Sequence, residues 1–461
     1  MTQSSIYTFA EALEYLYSFI NWEVERHVRY APEVMTLDRP RRVMEAFGNP
    51  HEQYPILHIT GTKGKGSVGA MAASALQASG LKAGLYSSPH LQDFRERFRI
   101  NNMLIPEDEF TLLVNDMKPV LDTIPDITWF EVTTALAFLY FAREKVDAAV
   151  IEVGLGGRLD ATNIVTPVAS VITSISYDHM HLLGNSLASI AREKGGIIKP
   201  GVPVVSAPQA QEALDVLAEI AEERHAPFVL VGRDWLFDAG DLSPYCEPFR
   251  AGRAGEPLHG YATALPGEHQ ALNATVALAA LDVMKQAGVD VTEAGIQAGL
   301  AGVDWPGRLE IVEQKPLLVL DAAHNGESAQ RLAAALTGTF SERPIAFVFG
   351  ASADKDVSGM FEHLLPVADF LIVSQAVHPR ALDPNEIKNI ALAKGFTHPI
   401  EIIPDTRIAL DRAAELVGPG GLICTTGSLF IIGEVRSVCG LPAGHVPRAN
   451  RVPCAPISPE L

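Results

Sequence analysis

Short apolar runs rich in β-branched residues alternate with stretches of helical pattern along most of this chain. The runs fall at Ile56–Thr60, Ala83–Ser87, Ala148–Val153, Val168–Ile175 and Val202–Ala207, and between them Ser67–Ser79, Val132–Glu144 and Leu187–Ile198 read as helices. Such alternation predicts parallel strands joined by covering helices, an α/β protein. From Asp234 to about Leu265 the pattern dissolves into Gly, Pro and Arg, with "GDLSPYCEPFRAGRAGEPLHG" at its centre, which predicts hairpins or a loop excursion. A helix over Glu268–Met284 follows. "DWPGR" at Asp304–Arg308 marks a junction, because Pro-Gly stops the helical segment before it. Beyond it the alternation restarts, with strands at Leu317–Asp321, Ile345–Gly350, Phe370–Ser374 and Gly421–Thr425 and helices at Ser328–Leu336 and Arg407–Val417. Two domains are expected, 1–304 and 305–440, then an irregular Pro-, Arg- and Ala-rich tail over 441–461.

Composition narrows the class. The 461 residues are 48 % hydrophobic and 20 % charged, as in globular proteins with large cores. No stretch approaches the ~18 uninterrupted apolar residues of a spanning helix. The opening "MTQSSIYTFAEALEYLYSF" lacks the basic region and apolar core of a signal peptide. Cys246, Cys424, Cys439 and Cys454 form no C-x-x-C pair, which argues against a zinc knuckle or disulfide frame and for a reducing cytoplasm. A formal net charge of −19 disfavours a nucleic-acid partner. An acidic chain with anionic ligands must concentrate cations, or borrow metal ions, at its site. Small-molecule partners and a monomer are the expectation.

The densest chemistry lies in "ILHITGTKGKGSVG", Ile56–Gly69. A strand entering a glycine-rich turn that starts a helix gathers backbone N–H groups and the positive end of a helix dipole at one point, which suits phosphate. Lys65 would reach the outer phosphates, while Gly61, Gly64 and Gly66 let the backbone approach. The match to the eight-residue phosphate-loop pattern is imperfect, since the hydroxyl of Ser67 arrives one place late. A flexible basic surface loop is the competing reading. In "AAVIEVGLGGRLDATN", Glu152 ends a buried strand at the sheet edge where ligands collect. It is a candidate Mg²⁺ ligand, because that ion takes hard oxygens, or else a turn cap. "SISYDHMHLLG" holds His179 and His181, which lack any partner at zinc spacing, and Lys194 in "AREKGGIIKPG" reads on its own as a solvated lysine. Across the junction stand Arg308, then Asp321 and His324 in "VLDAAHNG", then Ser428 in "CTTGSLFIIG". The last two loops would open at the second sheet's edge and face the first across a cleft.

In order, "GTKGKGS", "YSSPHLQDFRERFRIN", "EVGLGGRLDATN", "SYDHMHLLG", "EKGGIIK", "PGRLE", "DAAHN" and "TTGSLF" resemble the folylpolyglutamate synthase/dihydrofolate synthase family, relatives of the Mur peptide ligases, from about Phe9 to Val438. The resemblance implies a P-loop N-terminal domain of Mur ligase central type with a mostly parallel sheet. A smaller, Rossmann-like α/β C-terminal glutamate-ligase domain would follow. It implies that Thr62, Lys63, Gly64, Lys65, Gly66 and Ser67 hold the ATP phosphates and that Asn273, Arg308 and Asp321 contact ATP. Ser88, Glu152 and His179 would ligate a pair of Mg²⁺ ions, joined by a CO₂-derived carbamate on Lys194. Lys65 and Lys194 would serve catalysis, with His324 and Ser428 placing the incoming glutamate. Phe130, Asp160 and Ala161 would line a pterin pocket. The implied substrates are ATP, dihydropteroate or a reduced folate, and L-glutamate, joined through an acyl phosphate.

Three positions depart from the family pattern. Lys63 stands where Asn is common, "DAAHN" replaces "DGAHN", and "EKGGIIK" replaces "EKAGIIK". "TWFE" and "RLDATN" favour a bifunctional enzyme, while first-glutamate addition and chain extension alone both stay open. Two further readings compete: a Mur-type peptide ligase of cell-wall precursors, disfavoured by "SSPHLQDFRERFRIN" and the lack of a further domain for a UDP group, and a nucleotide-binding relative without turnover.

Overall fold

The computed structural model describes residues 6–21, 35–178, 180–240, 245–445 and 454. His179 and most of the expected tail lie outside them. The first sheet contains β1 (Ile56–Thr60), β2 (Ala83–Tyr86), β3 (Phe98–Ile100), β4 (Met103–Leu104), β5 (Ala148–Glu152), β6 (Ala169–Ile172), β7 (Val204–Ser206) and β8 (Phe228–Leu230). Their spatial order is β4-β3-β2-β5-β1-β6-β7-β8, parallel from β2 to β8, with β3 and β4 turning back at one edge. From β1 the chain crosses to β2 on one side and later reaches β6 on the other. A crevice therefore opens beyond the C-terminal ends of β1 and β5.

The apolar runs become central strands because both of their faces are covered, so successive side chains enter different cores. Leu57 and Ile59 pack with Val68, Met71 and Leu76 of the helix Lys65–Ala78. Ile56 and Tyr86 pack on the other face with Phe98, Phe110, Trp129 and Phe138. The helix Lys65–Ala78 is built of small residues because the helix Glu293–Ala301 crosses it closely. A Cβ on Gly299 would stand 2.4 Å from Ala75 Cα.

A second sheet of β9 (Trp235–Ala239), β10 (Glu247–Arg253) and β11 (His259–Thr263) is antiparallel with β10 central, the hairpin excursion expected from the sequence. The third contains β12 (Glu310–Gln314), β13 (Leu317–Leu320), β14 (Ile345–Phe349), β15 (Phe370–Val373), β16 (Ile400–Ile402) and β17 (Leu422–Thr426), in the order β12-β13-β17-β14-β15-β16. All but β12 are parallel. Leu317 and Val319 face one core with Phe347 and Phe361, and Leu318 and Leu320 the other with Val348 and Ile431.

The sequence pattern misses β3, β4, β8, β12 and β16 and several helices, among them Glu107–Leu121, Gln211–Glu223 and Pro384–Ala393. Those strands lie at or beside sheet edges; β3, β4, β8 and β16 have at most three residues, too few for an alternation to register, and β12 carries Glu310, Glu313 and Gln314 in place of an apolar run. The helix Glu107–Leu121 carries Pro119 inside it, a breaker signal tolerated near its end. Among the described residues no helix is long and apolar enough to cross a membrane.

Candidate active site

The turn after β1 is shaped by what presses on it. Gly64 has φ +92 and forms the N-cap of the helix Lys65–Ala78, and a Cβ there would lie 2.5 Å from Asn273 Oδ1. Glycine is thus required by conformation and by space. Asn273 is buried and held by Gln270 Oε1, to which its Nδ2 donates at 2.9 Å. The amides of Lys65, Gly66 and Ser67 belong to the first helical turn, so they have no intrahelical acceptor and carry the positive end of the dipole. Thr62 and Lys63 differ, because their N–H groups donate to Ser174 O at 2.8 and 3.2 Å. The amides left for an anion are those from Gly64 onward. Side chains of Lys63 and Lys65 are 13 % and 19 % exposed, which rules out the reading of a flexible surface loop.

Gly61 O accepts from Lys65 Nζ at 3.2 Å and from Lys194 Nζ at 2.8 Å. Lys194 is buried, not solvated. Burial, then the charge of Lys65, pushes its ammonium down to about 7. Glu152, also buried, ends β5 with Oε1 4.0 Å from Lys65 Nζ, and Ser88 N donates to Oε2 at 3.4 Å. Burial pushes this carboxyl up and the Lys65 ammonium opposes it. A buried carboxylate with only long-range partners, beside the serines at 87 and 88, fits Mg²⁺, which takes one or two carboxylates and completes its shell with water and phosphate oxygens.

Two adjoining openings meet at the Lys65–Glu152 pair. One, about 490 Å³, is lined by Gly66, Ser88 and Glu152 together with Trp305, Arg308 and Leu429. The other, about 340 Å³, is lined by Gly61, Thr62, Lys65, Gly154, Asp178 and Lys194. Asp321 ties the junction to the loop after β13: Oδ2 accepts from Leu309 N at 3.0 Å and Oδ1 from Ala323 N at 2.9 Å. Burial pushes its carboxyl up, opposed by the Arg308 guanidinium. His324 Nδ1 lies 2.9 Å from Ala322 O, and a carbonyl only accepts, so Nδ1 bears the proton. Its Nε2 is left as an acceptor 3.2 Å from Lys63 Nζ. Burial and nearby cations push the ring down to about 3, so it is neutral at pH 7. Ser428, buried, caps the helix Leu429–Val438, its Oγ accepting from Ile431 N at 3.3 Å while its O–H keeps a proton to donate.

Phe130 sits in the first turn of the helix Trp129–Arg143, and a Cβ on Gly154 would come within 2.4 Å of its Cζ. Asp160 is buried and engaged, accepting from Leu155 N at 2.9 Å, Thr162 N at 3.0 Å and Thr162 Oγ1 at 2.5 Å. It folds the glycine loop back into the 3₁₀ turn Ala161–Ile164, which buried Ala161 opens. All three thus gather about the glycine loop that borders the second opening.

Two wall residues escaped the sequence reading. Trp305, read only as part of a junction, packs its indole over the phosphate-loop helix, where a Cβ on Gly66 would meet Cζ2 at 2.8 Å. The Arg99 guanidinium lies 5.0 Å from that ring's centre. Its signal was an aromatic residue three places before Arg308. Asp178 stands 3.5 Å from Lys63 Nζ and was hidden beside the histidines of its motif.

A glycine-rich turn at a helix N-terminus and a buried carboxylate in the first α/β unit stand beside a second, mostly parallel unit, and family models account for both units as those of a Mur-type ligase. Residues 59–281 match the Mur ligase middle domain and residues 307–429 the Mur ligase glutamate ligase domain. Dihydrofolate synthase/folylpolyglutamate synthase of Bacillus subtilis (strain 168) is 35 % identical over 413 residues, covering 87 % of this chain and 94 % of that protein. A Mycobacterium tuberculosis folylpolyglutamate synthase complexed with ADP and AMPPCP superposes with a TM-score of 0.83 at 32 % identity, over 89 % of this chain and 96 % of that one. Escherichia coli FolC in complex with DHPP and ADP gives 0.83 at 28 % identity, over 95 % and 99 %. The chain belongs to the folylpolyglutamate synthase/dihydrofolate synthase family and is a ligase.

Proposed function

We propose that this chain uses ATP to join L-glutamate by an amide bond to dihydropteroate, to the γ-carboxylate of reduced folates, or to both. One observation carries the reading: Lys65 and Glu152 stand where two adjoining openings meet, one bordered by Arg308 of the junction and the other by Lys194, while Lys63 of the same turn reaches His324 of the second domain. The names of the similar proteins support both activities, and their complexes with ADP, AMPPCP and DHPP support these substrate classes.

The reaction divides into two balanced steps. A carboxylate oxygen of the pterin substrate attacks the γ-phosphorus, the bond to the β–γ bridging oxygen breaks, and ADP leaves an acyl phosphate. The neutral amine of glutamate then attacks the acyl carbon, phosphate departs with the bonding pair, and the nitrogen loses a proton. Catalysis of the first step is mostly positioning and charge neutralisation. Lys65 and the amides from Gly64 through Ser67 supply these at the phosphates, with Thr62 and Lys63 bracing the loop. Asn273, Arg308 and Asp321 orient the nucleotide. Ser88, Glu152 and His179 would hold Mg²⁺, which when bound neutralises phosphate charge. Lys194, its amine partly free at pH 7, adds to CO₂ and releases a proton, exchanging a cation for a carbamate oxygen donor. His324 and Ser428 place the glutamate, and Phe130, Asp160 and Ala161 border the pterin. The cleft keeps water from the acyl phosphate. We read the domains as 1–304 and 305–440, and the enzyme as a cytoplasmic monomer.

The test is phosphate release from MgATP and L-glutamate with dihydropteroate, tetrahydrofolate or no acceptor. Release that needs both glutamate and a pterin is expected, and the preferred acceptor separates synthase from extender. Release indifferent to the pterin, or none, would refute the proposal.

A further inference from the structure

Lys63 leaves the phosphate loop for the far wall of the cleft. Its N–H is pinned to Ser174 O at 3.2 Å. Its ammonium donates to His324 Nε2 at 3.2 Å and stands 3.5 Å from Asp178 Oδ2. Three segments meet at this one charge: the turn after β1, the stretch after β6, and the loop after β13 in the second domain. The imidazole is fixed from both sides, because Nδ1–H donates to Ala322 O at 2.9 Å while Nε2 accepts from the ammonium. A ring so held has one tautomer and one orientation.

We propose that Lys63 is a positioning residue for the amine half of the reaction, acting through His324 to tie the seating of the phosphate loop to the loop that receives L-glutamate. This rests on the function proposed above. Side-chain reach is what the contact needs. Asparagine at this place would be shorter and could not span from a backbone pinned at Ser174 to the same ring nitrogen. Because one end of the contact answers to nucleotide and the other to amino acid, the two bindings become interdependent, and the coupling is reciprocal.

Steady-state kinetics with MgATP, L-glutamate and the accepted pterin test this on wild type, Lys63→Met and Lys63→Arg, each also in a His324→Ala background. Lys63→Met is expected to raise the KM for L-glutamate about 10-fold, the size of one hydrogen bond from a charged donor, and to move the KM for ATP far less. Lys63→Arg keeps reach and donors and recovers most of that loss. Without the His324 ring, Lys63→Met adds nothing to the glutamate KM. Lys63→Asn, too short to reach the ring, carries the same expectation and guards against misfolding of the methionine variant. A rise confined to the KM for ATP, or an equal effect with and without His324, overturns the inference. A wild type without glutamate-dependent phosphate release sinks the functional reading and this inference together. An active wild type beside an indifferent Lys63→Met sinks this inference alone.

Discussion

At Gly61 O two lysines share one carbonyl, and they are asked to do different things. Lys65 Nζ stands 4.0 Å from Glu152 Oε1, so Lys65→Ala is expected to lower turnover about 100-fold, the loss typical of one preorganised electrostatic donor. Near-normal phosphate release would remove it from the phosphate site. Lys194 has the opposite task, since only its neutral amine can add to CO₂. Its ammonium is pushed down to about 7, so carbamate formation rises with pH through about 7. Incorporation of ¹³C-labelled bicarbonate, followed by ¹³C NMR across that range, should rise with pH and vanish in Lys194→Ala. A short carboxylic acid should partly restore that variant's turnover. The same shift bears on stability. Above about 7 and below the ordinary lysine value of 10.5 the unfolded chain holds a proton that the folded chain lacks, so stability rises with pH over that window. Its glycine-rich turn makes Lys65 a candidate on its own residues, whereas Lys194, which reads on its own as solvated, becomes one only through the family resemblance. Sequence alone could not reveal the Lys63–His324 contact, whose partners are 261 residues apart.

Elements show a similar division between what local pattern carries and what assembly adds. The central strands β1, β5, β13, β14 and β17 were legible because burial on both faces demands unbroken apolar runs. Edge strands such as β4 and β16 were not, since their few residues are partly exposed and owe their conformation to a neighbour. The helix Leu429–Val438 begins at Ser428, a site residue that is also its N-cap. These roles can be separated. Ser428→Ala is expected to cost about 1 kcal/mol in urea unfolding, as lost caps do. Ser428→Asn regains that stability, because asparagine caps as well as serine. If turnover stays low in the asparagine variant, the hydroxyl serves substrate; if turnover returns with stability, Ser428 acts only through the helix.

Where the first domain meets the second lies a group of buried charges no sequence pattern announced. Arg436 is 0 % exposed and pairs through Nη1 with the Glu310 carboxylate. Its Nε donates to Gln92 Oε1 at 2.8 Å, and its Nη2 to Pro442 O and His445 O at 2.8 and 2.7 Å. His445 Nδ1 lies 3.2 Å from Asp304 Oδ2, and Arg99 of β3 donates to Gly444 O at 3.1 Å. Gln92 of the first domain, β12 of the second, the helix Leu429–Val438 and the chain just beyond it therefore converge on one guanidinium. A buried ion pair stabilises little beyond an apolar pair of its size, yet breaking it from one side leaves an unpaired charge, at about 3–5 kcal/mol. Glu310→Leu alone should therefore destabilise by that amount, and Arg436→Met should add its own loss of carbonyl partners. The double variant should cost clearly less than the two together, because no lone charge remains. Urea unfolding of the four proteins measures the coupling. Its presence, with glutamate-dependent turnover falling further than nucleotide affinity, would place the group as the brace that holds the second domain over the phosphate loop. Single costs that add to within about 0.5 kcal/mol would deny the pair any such role.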